Sequence, residues 1–283
     1  MLTDSFLSRL DTLSLAMRGR AQGGAGGSRR SRQTGSSAEF SDYREYIPGD
    51  DIRRLDWNAY ARFDRLFLKL FMEEQESLVT VLLDASASMG AKWASARMAA
   101  EAVGYLALTG GDRLCVQILK NGRALRSPQL SGRAAFPRLT GFLDACEPDG
   151  TEGTLTEAVR RTEDLKKGLC FLITDGYTED ALKDALDYLR YLKQETAVIQ
   201  MLAGEELRPE MEGALRLTDS ESGEKLDILA DRAALDAYHD ALDGFLKDIR
   251  ENCASREAPY MLLDGGKPFE ECFIPLLSRS RMI

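Results

Sequence analysis

Leu78-Val79-Thr80-Val81-Leu82-Leu83-Asp84-Ala85-Ser86-Ala87-Ser88-Met89-Gly90 joins two signals in one stretch. Leu78 to Leu83 is a short apolar, β-branched run, suited to a parallel strand buried on both faces. Asp84, Ser86 and Ser88 then stand at alternate positions where that strand ends. In open α/β sheets the ligand crevice lies at the carboxyl ends of strands, so polar side chains there point to a site.

Working outward, the pattern repeats. A small-residue helical stretch at 93–108 precedes strand 113–119, an edge strand at 123–126 and a helix at 133–145. Helix 155–166 precedes the apolar strand Leu169 to Thr174, and helix 179–193 precedes strand 197–202. Strands alternating with helices imply right-handed crossovers. The expected fold is α/β: a doubly wound, mainly parallel sheet with helices on both faces. Ala214 to Leu229 alternates around Ser220-Glu221-Ser222-Gly223 and predicts an inserted β-hairpin. Helix 231–254, strand 259–263 and helix 268–278 complete this part.

Upstream, Phe6, Leu7, Leu10, Leu13, Leu15 and Met17 give residues 3–18 an amphipathic helical pattern. Gly23 to Arg32 (GGAGGSRRSR) has no periodicity and reads as a loop. Residues 38–77 are dense in aromatic and charged residues, with a turn at Pro48-Gly49-Asp50-Asp51 and strand-like alternation from Leu66 to Phe71. They read as an irregular β extension packed against the next domain. The expected division is therefore 1–77 and 78–283.

Composition limits the function. The net charge is −9, which disfavours nucleic acid and anionic membrane as partners. Residues 1–70 carry 12 basic and 9 acidic side chains, so the excess of acid lies in the remainder. Arg18, Arg20, Arg29, Arg30 and Arg32 make nucleic-acid binding an alternative reading, although no aromatic stacking platform accompanies them. Cys115, Cys146, Cys170, Cys253 and Cys272 form no C-x-x-C pair, and His239 is the one histidine, so a zinc site is not expected. The thiols read as small hydrophobes in a reducing compartment. With no signal peptide and no spanning apolar run, a soluble cytoplasmic protein is expected.

The chemistry concentrates at two strand ends. Asp84, Ser86 and Ser88 form an oxygen-only set, and Ile173-Thr174-Asp175-Gly176 ends a later strand. Such a set suits a hard cation such as Mg2+, which keeps several waters. Asp and Ser also cap helix N-termini, so the serines have a purely structural reading as well.

The D-x-S-x-S pattern after the first sheet strand resembles the metal-ion-dependent adhesion site of von Willebrand factor A domains. By that resemblance Asp175 is the second aspartate. A threonine is also implied: Thr154, just before a helix, with Thr151 as the rival. The implied ligand set is Asp84, Ser86, Ser88, Thr154 and Asp175, holding Mg2+ or Mn2+. A second resemblance covers nearly the whole chain. Glu39-Phe40, Asp42-Tyr43-Arg44, Tyr46, Pro48-Gly49-Asp50-Asp51, Arg53, Asp56-Trp57 and Ala61-Arg62 look like the signature of the bacterial "domain of unknown function 58" family. That family implies a MoxR-type AAA ATPase as a partner.

Within the signature, Arg44, Arg53, Arg54 and Arg62 are expected to pair with Asp42, Asp50, Asp51 and Asp56 while Trp57 and Tyr46 bury. The functional alternative is an Arg-rich docking surface for an acidic or phosphorylated partner. The chain has no G-x-x-x-x-G-K-[ST], G-x-S-x-G or G-x-G-x-x-G motif. A non-catalytic adaptor whose metal receives a partner's carboxylate is therefore the expected function. A metal-dependent hydrolase or phosphatase is the alternative.

Overall fold

The computed structural model describes residues 2–23, 39–48, 50–72, 78–178, 182–210 and 213–279. Arg29, Arg30 and Arg32 of the Gly- and Arg-rich stretch lie outside the described residues, as do Gly49 and the side chains of Arg18, Arg20, Asp42 and Arg54. The chain divides into two units, Gly19–Glu76 and a larger one of Met1–Arg18 with Ser77–Ile283. This departs from the division at 77/78. The start of α1 (Asp4–Gly23) belongs with the large sheet, because Phe6 and Leu10 are fully buried in that core. The Phe6 ring meets Phe269 edge-on at 5.8 Å and Phe273 at 6.4 Å.

In the smaller unit, β1 (Glu39–Glu45) pairs antiparallel with β2 (Phe67–Met72), and α2 (Trp57–Phe63) lies between them in sequence. Asp56 starts α2: its Oδ1 accepts from the N–H of Asn58 at 2.9 Å and of Ala59 at 3.2 Å. Its Oδ2 accepts from the Tyr43 hydroxyl at 2.8 Å. Asp56 thus caps α2. Arg44 does pair with Asp50 at 2.7 Å. Asp51 accepts from the Arg53 N–H at 3.0 Å, and Arg62 is exposed. Trp57 is 63% exposed rather than buried, because it opens a helix with no buried residue, while Tyr46 is half-buried.

In the larger unit, β3 (Leu78–Asp84) leads to α3 (Trp93–Gly110), β4 (Arg113–Lys120), β5 (Arg123–Arg126), β6 (Leu130–Ser131) and α4 (Phe136–Asp144). Then come α5 (Leu155–Arg160), β7 (Gly168–Thr174), α6 (Leu182–Tyr191), β8 (Gln194–Leu202) and α7 (Gly204–Leu207). The hairpin of β9 (Gly213–Thr218) and β10 (Lys225–Ala230) precedes α8 (Arg232–Ala254), β11 (Tyr260–Asp264) and α9 (Phe269–Arg279).

Seven strands form the large sheet, in the order β11-β8-β7-β3-β4-β5 with β6 also on β4. The pairs from β11 to β4 are parallel, and β5 and β6 run antiparallel to β4 at the edge. The sheet is buried on both faces, which is why β3 reads as a continuous apolar run. Val79, Val81 and Leu83 face one core with α1, α3 and α9. Leu82 faces the other, with α5, α6 and α8.

Helix α5 stops at Arg160, short of the expected 166. Buried Gln117 of β4 donates to the Glu163 carbonyl at 3.0 Å and accepts from the Glu163 N–H at 3.2 Å. Asp164 adopts a left-handed φ of 53°. Those bonds take the backbone groups a longer helix would need. Among the described residues no helix is long and apolar enough to cross a membrane.

Candidate metal centre

The sheet order sets the site. From β3 the chain steps to β4 on one side and later returns to β7 on the other. The carboxyl ends of β3 and β7 therefore sit side by side where the winding reverses, the usual place for a ligand crevice. Asp84 ends β3, and Asp175 follows β7 directly.

Asp84 is buried and held on both oxygens. Its Oδ2 accepts from the Thr174 hydroxyl at 2.7 Å, and its Oδ1 accepts from the Ser86 N–H at 3.0 Å. Thr174 in turn accepts from the Gly176 N–H at 3.0 Å, tying the two strand ends together. Burial, and then the charge of Asp175, push the Asp84 carboxyl up to about 6, against the hydrogen bonds from Thr174 and Ser86.

The serines do not cap the following helix. A 3-10 turn, Ala87–Lys92, follows Ser86, and the Ser86 side chain makes no capping bond to it. Instead the Ser86 and Ser88 hydroxyls lie 2.9 Å apart. Glu221, at the tip of the β9–β10 hairpin, lines the crevice with Asp84 and Ser86. Burial also raises the Glu221 carboxyl.

Asp175 has a different partner. It is fully buried, and its Oδ2 lies 2.8 Å from the Lys92 ammonium, itself 1% exposed. Lys92 also reaches Glu206 at 2.8 Å and sits 5.0 Å from the centre of the Tyr177 ring. The Tyr177 N–H donates to Asp175 Oδ1 at 3.0 Å, and Gln200 Nε2 donates to the Asp175 carbonyl at 2.8 Å. The charge of Lys92 is committed to Asp175 and Glu206.

The 150–154 loop closes a third side of the crevice. Gly150 brings it against the DASAS loop: its N–H donates to the Ala85 carbonyl at 3.0 Å, and its carbonyl accepts from the Ala87 N–H at 2.7 Å. A Cβ at Gly150 would lie 3.0 Å from the Ala85 carbonyl oxygen, so a side chain would strain this approach. Thr151 and Thr154 both line the crevice with Asp84, Ser86 and Glu221. The Thr154 hydroxyl also caps α5, accepting from the Glu157 N–H at 3.2 Å.

Among the described residues, no three His, Cys, Asp or Glu side chains are grouped to hold a metal by themselves. The oxygen set here is of another kind, a buried carboxylate beside two neutral hydroxyls, and oxygen donors of this sort fit a hard divalent cation. Sequence reading missed Lys92, Glu206 and Glu221. Only Glu221 carried a signal, as part of the turn Asp219 to Gly223. The lone histidine, His239, is exposed on α8.

A family model described as a protein of unknown function, DUF58, matches residues 42–243. An uncharacterized protein of Mycobacterium tuberculosis is similar at 27% identity over 270 residues, covering 90% of this chain and 83% of the relative. Among solved structures, the conserved hypothetical protein BatB from Bacteroides thetaiotaomicron is similar at 15% identity and a TM-score of 0.43, over 72% of this chain and 98% of that one. The SpRpn10 VWA domain is similar at 8% identity and a TM-score of 0.41, over 73% of this chain and 96% of its own.

Proposed function

The chain belongs to the DUF58 family of proteins of unknown function, and from that premise we propose that it is a non-catalytic adaptor with a metal-dependent binding site. On its von Willebrand factor A-like sheet, Asp84, Ser86 and Thr154 line one crevice, Ser88 stands beside Ser86, and Asp175 is buried against Lys92; these are the residues that would hold Mg2+ or Mn2+. The observation that carries this reading is the buried Asp84 beside two hydroxyls 2.9 Å apart, an all-oxygen donor set. When bound, the cation supplies a positive centre for a carboxylate of a partner protein.

The chain's own groups do the rest. Thr174 and the Ser86 N–H orient Asp84, while Lys92 fixes Asp175. The family resemblance makes a MoxR-type AAA ATPase the partner to test first. We take the protein as cytoplasmic, a reading supported by five free cysteines, of which Cys115, Cys170 and Cys253 are buried.

The test is calorimetric titration of Mg2+ and Mn2+ into the chain and into Asp84→Ala. Binding by the wild type that disappears in the variant supports the site. Equal heats in both would sink it.

A further inference from the structure

The β9–β10 hairpin is exposed along both strands, apart from half-buried Leu215 and Ile228 and buried Ala230. Side-chain packing therefore does little to hold it. Its tip is nevertheless well ordered by its own hydrogen bonds. Asp219 Oδ1 accepts from the N–H of Glu221 at 2.9 Å, the N–H of Ser222 at 2.6 Å and the Ser222 hydroxyl at 2.9 Å. Gly223 closes the turn with a φ of 71°, a conformation a side chain would disfavour. This turn carries Glu221 to the crevice, which it lines together with Asp84 and Ser86.

We propose that Glu221 is a built-in ligand of the metal centre, a carboxylate of this chain standing where a partner's carboxylate would bind. The proposal rests on the metal-centre reading above. Three observations support it. Glu221 lines the crevice beside Asp84 and Ser86, where an incoming carboxylate would approach. A turn rigidified by Asp219 positions it. A hairpin with exposed strands can lift away while burying little less surface.

A tethered carboxylate competes at an effective concentration of the order of millimolar, so only a partner of higher local affinity displaces it. The centre is then closed at rest by its own chain. A partner's carboxylate would open it by taking the place of that of Glu221. The hairpin is the element that reports the exchange.

The test uses the full chain with Mn2+ alone as the probe. Mn2+ affinity is measured by calorimetry for wild type, Asp84→Ala, Glu221→Gln and Glu224→Gln. Hydrogen exchange over 213–230 is followed with and without Mn2+. Loss of a ligating carboxylate should weaken Mn2+ binding roughly tenfold or more, comparable to the loss of a supporting group at a metal site. Glu224→Gln should match the wild type, since that side chain is on the same hairpin but beyond the turn. Mn2+ should slow amide exchange of the hairpin in wild type and not in Glu221→Gln.

Wild-type affinity in Glu221→Gln, with binding lost in Asp84→Ala, overturns the built-in ligand and leaves the metal centre standing. An equal loss in Glu224→Gln overturns it too, by reducing the effect to general acidity. No Mn2+ binding by the wild type overturns both readings.

Discussion

Replacing Lys92 by Met tests whether the centre depends on a buried ammonium. Lys92 is 1% exposed and lies 2.8 Å from the fully buried Asp175 Oδ2. Met keeps most of the volume of the lysine stem, so the packing loss is small. The electrostatic loss is not. Glu206, 28% exposed, can turn toward water, but Asp175 cannot. Removing one member of a buried pair leaves an uncompensated charge and costs about 3–5 kcal/mol, whereas an exposed pair is worth about 0–1 kcal/mol. Urea unfolding in the presence of a chelator measures the difference, so that no cation substitutes for the lost charge. Asp175→Asn should rescue part of it: the double variant should lose roughly 1–3 kcal/mol less than the sum of the two single losses. A loss below about 1 kcal/mol for Lys92→Met, or strict additivity with Asp175→Asn, would refute the argument.

Two further outcomes follow from the core. Phe6→Ala should destabilise the larger unit by about 3–5 kcal/mol, because the ring is fully buried against Phe269 and Phe273; a loss under about 1 kcal/mol in urea unfolding would detach the first helix from this core. Glu101, buried on α3, has its carboxyl raised by burial above an ordinary value of 4.5, against the hydrogen bond from the Leu2 N–H and the charge of Arg97. The folded state therefore holds this proton more tightly than the unfolded chain, so its contribution is favourable below pH 4.5 and is lost as pH rises through the raised folded value. The stability of wild type minus that of Glu101→Gln should fall across that window, and a flat or rising difference would contradict the reading.

Much of the large sheet was legible because its causes are local. A strand buried on both faces must be apolar throughout, so Leu78 to Leu83 and Leu169 to Thr174 announce themselves, and helices between them require parallel pairing. The hairpin at 213–230 was legible from its alternation and turn. The length of α5 was not, because the bonds that end it come from Gln117 on β4, a residue distant in sequence. Nor was the place of the first helix: amphipathic spacing shows that Phe6 and Leu10 need a core, but not which core. Likewise, the density of aromatic residues near Trp57 said nothing of the 63% exposure its helix leaves it.

The site divides in the same way. By itself the sequence determined the oxygen chemistry, since Asp84, Ser86, Ser88 and Asp175 stand at strand ends wherever the strands lie. It left open whether the serines cap a helix, because cap and cluster use the same residue types. Only the tertiary structure decided that. A 3-10 turn carries the chain away from Ser86 before α3 begins, leaving its hydroxyl to face Ser88. The tertiary structure also brought in Lys92 and Glu221. An ammonium neutralises whichever carboxylate the fold sets beside it, and a turn delivers its glutamate wherever the hairpin points. Those are facts of position in space, which residue spacing along the chain does not encode.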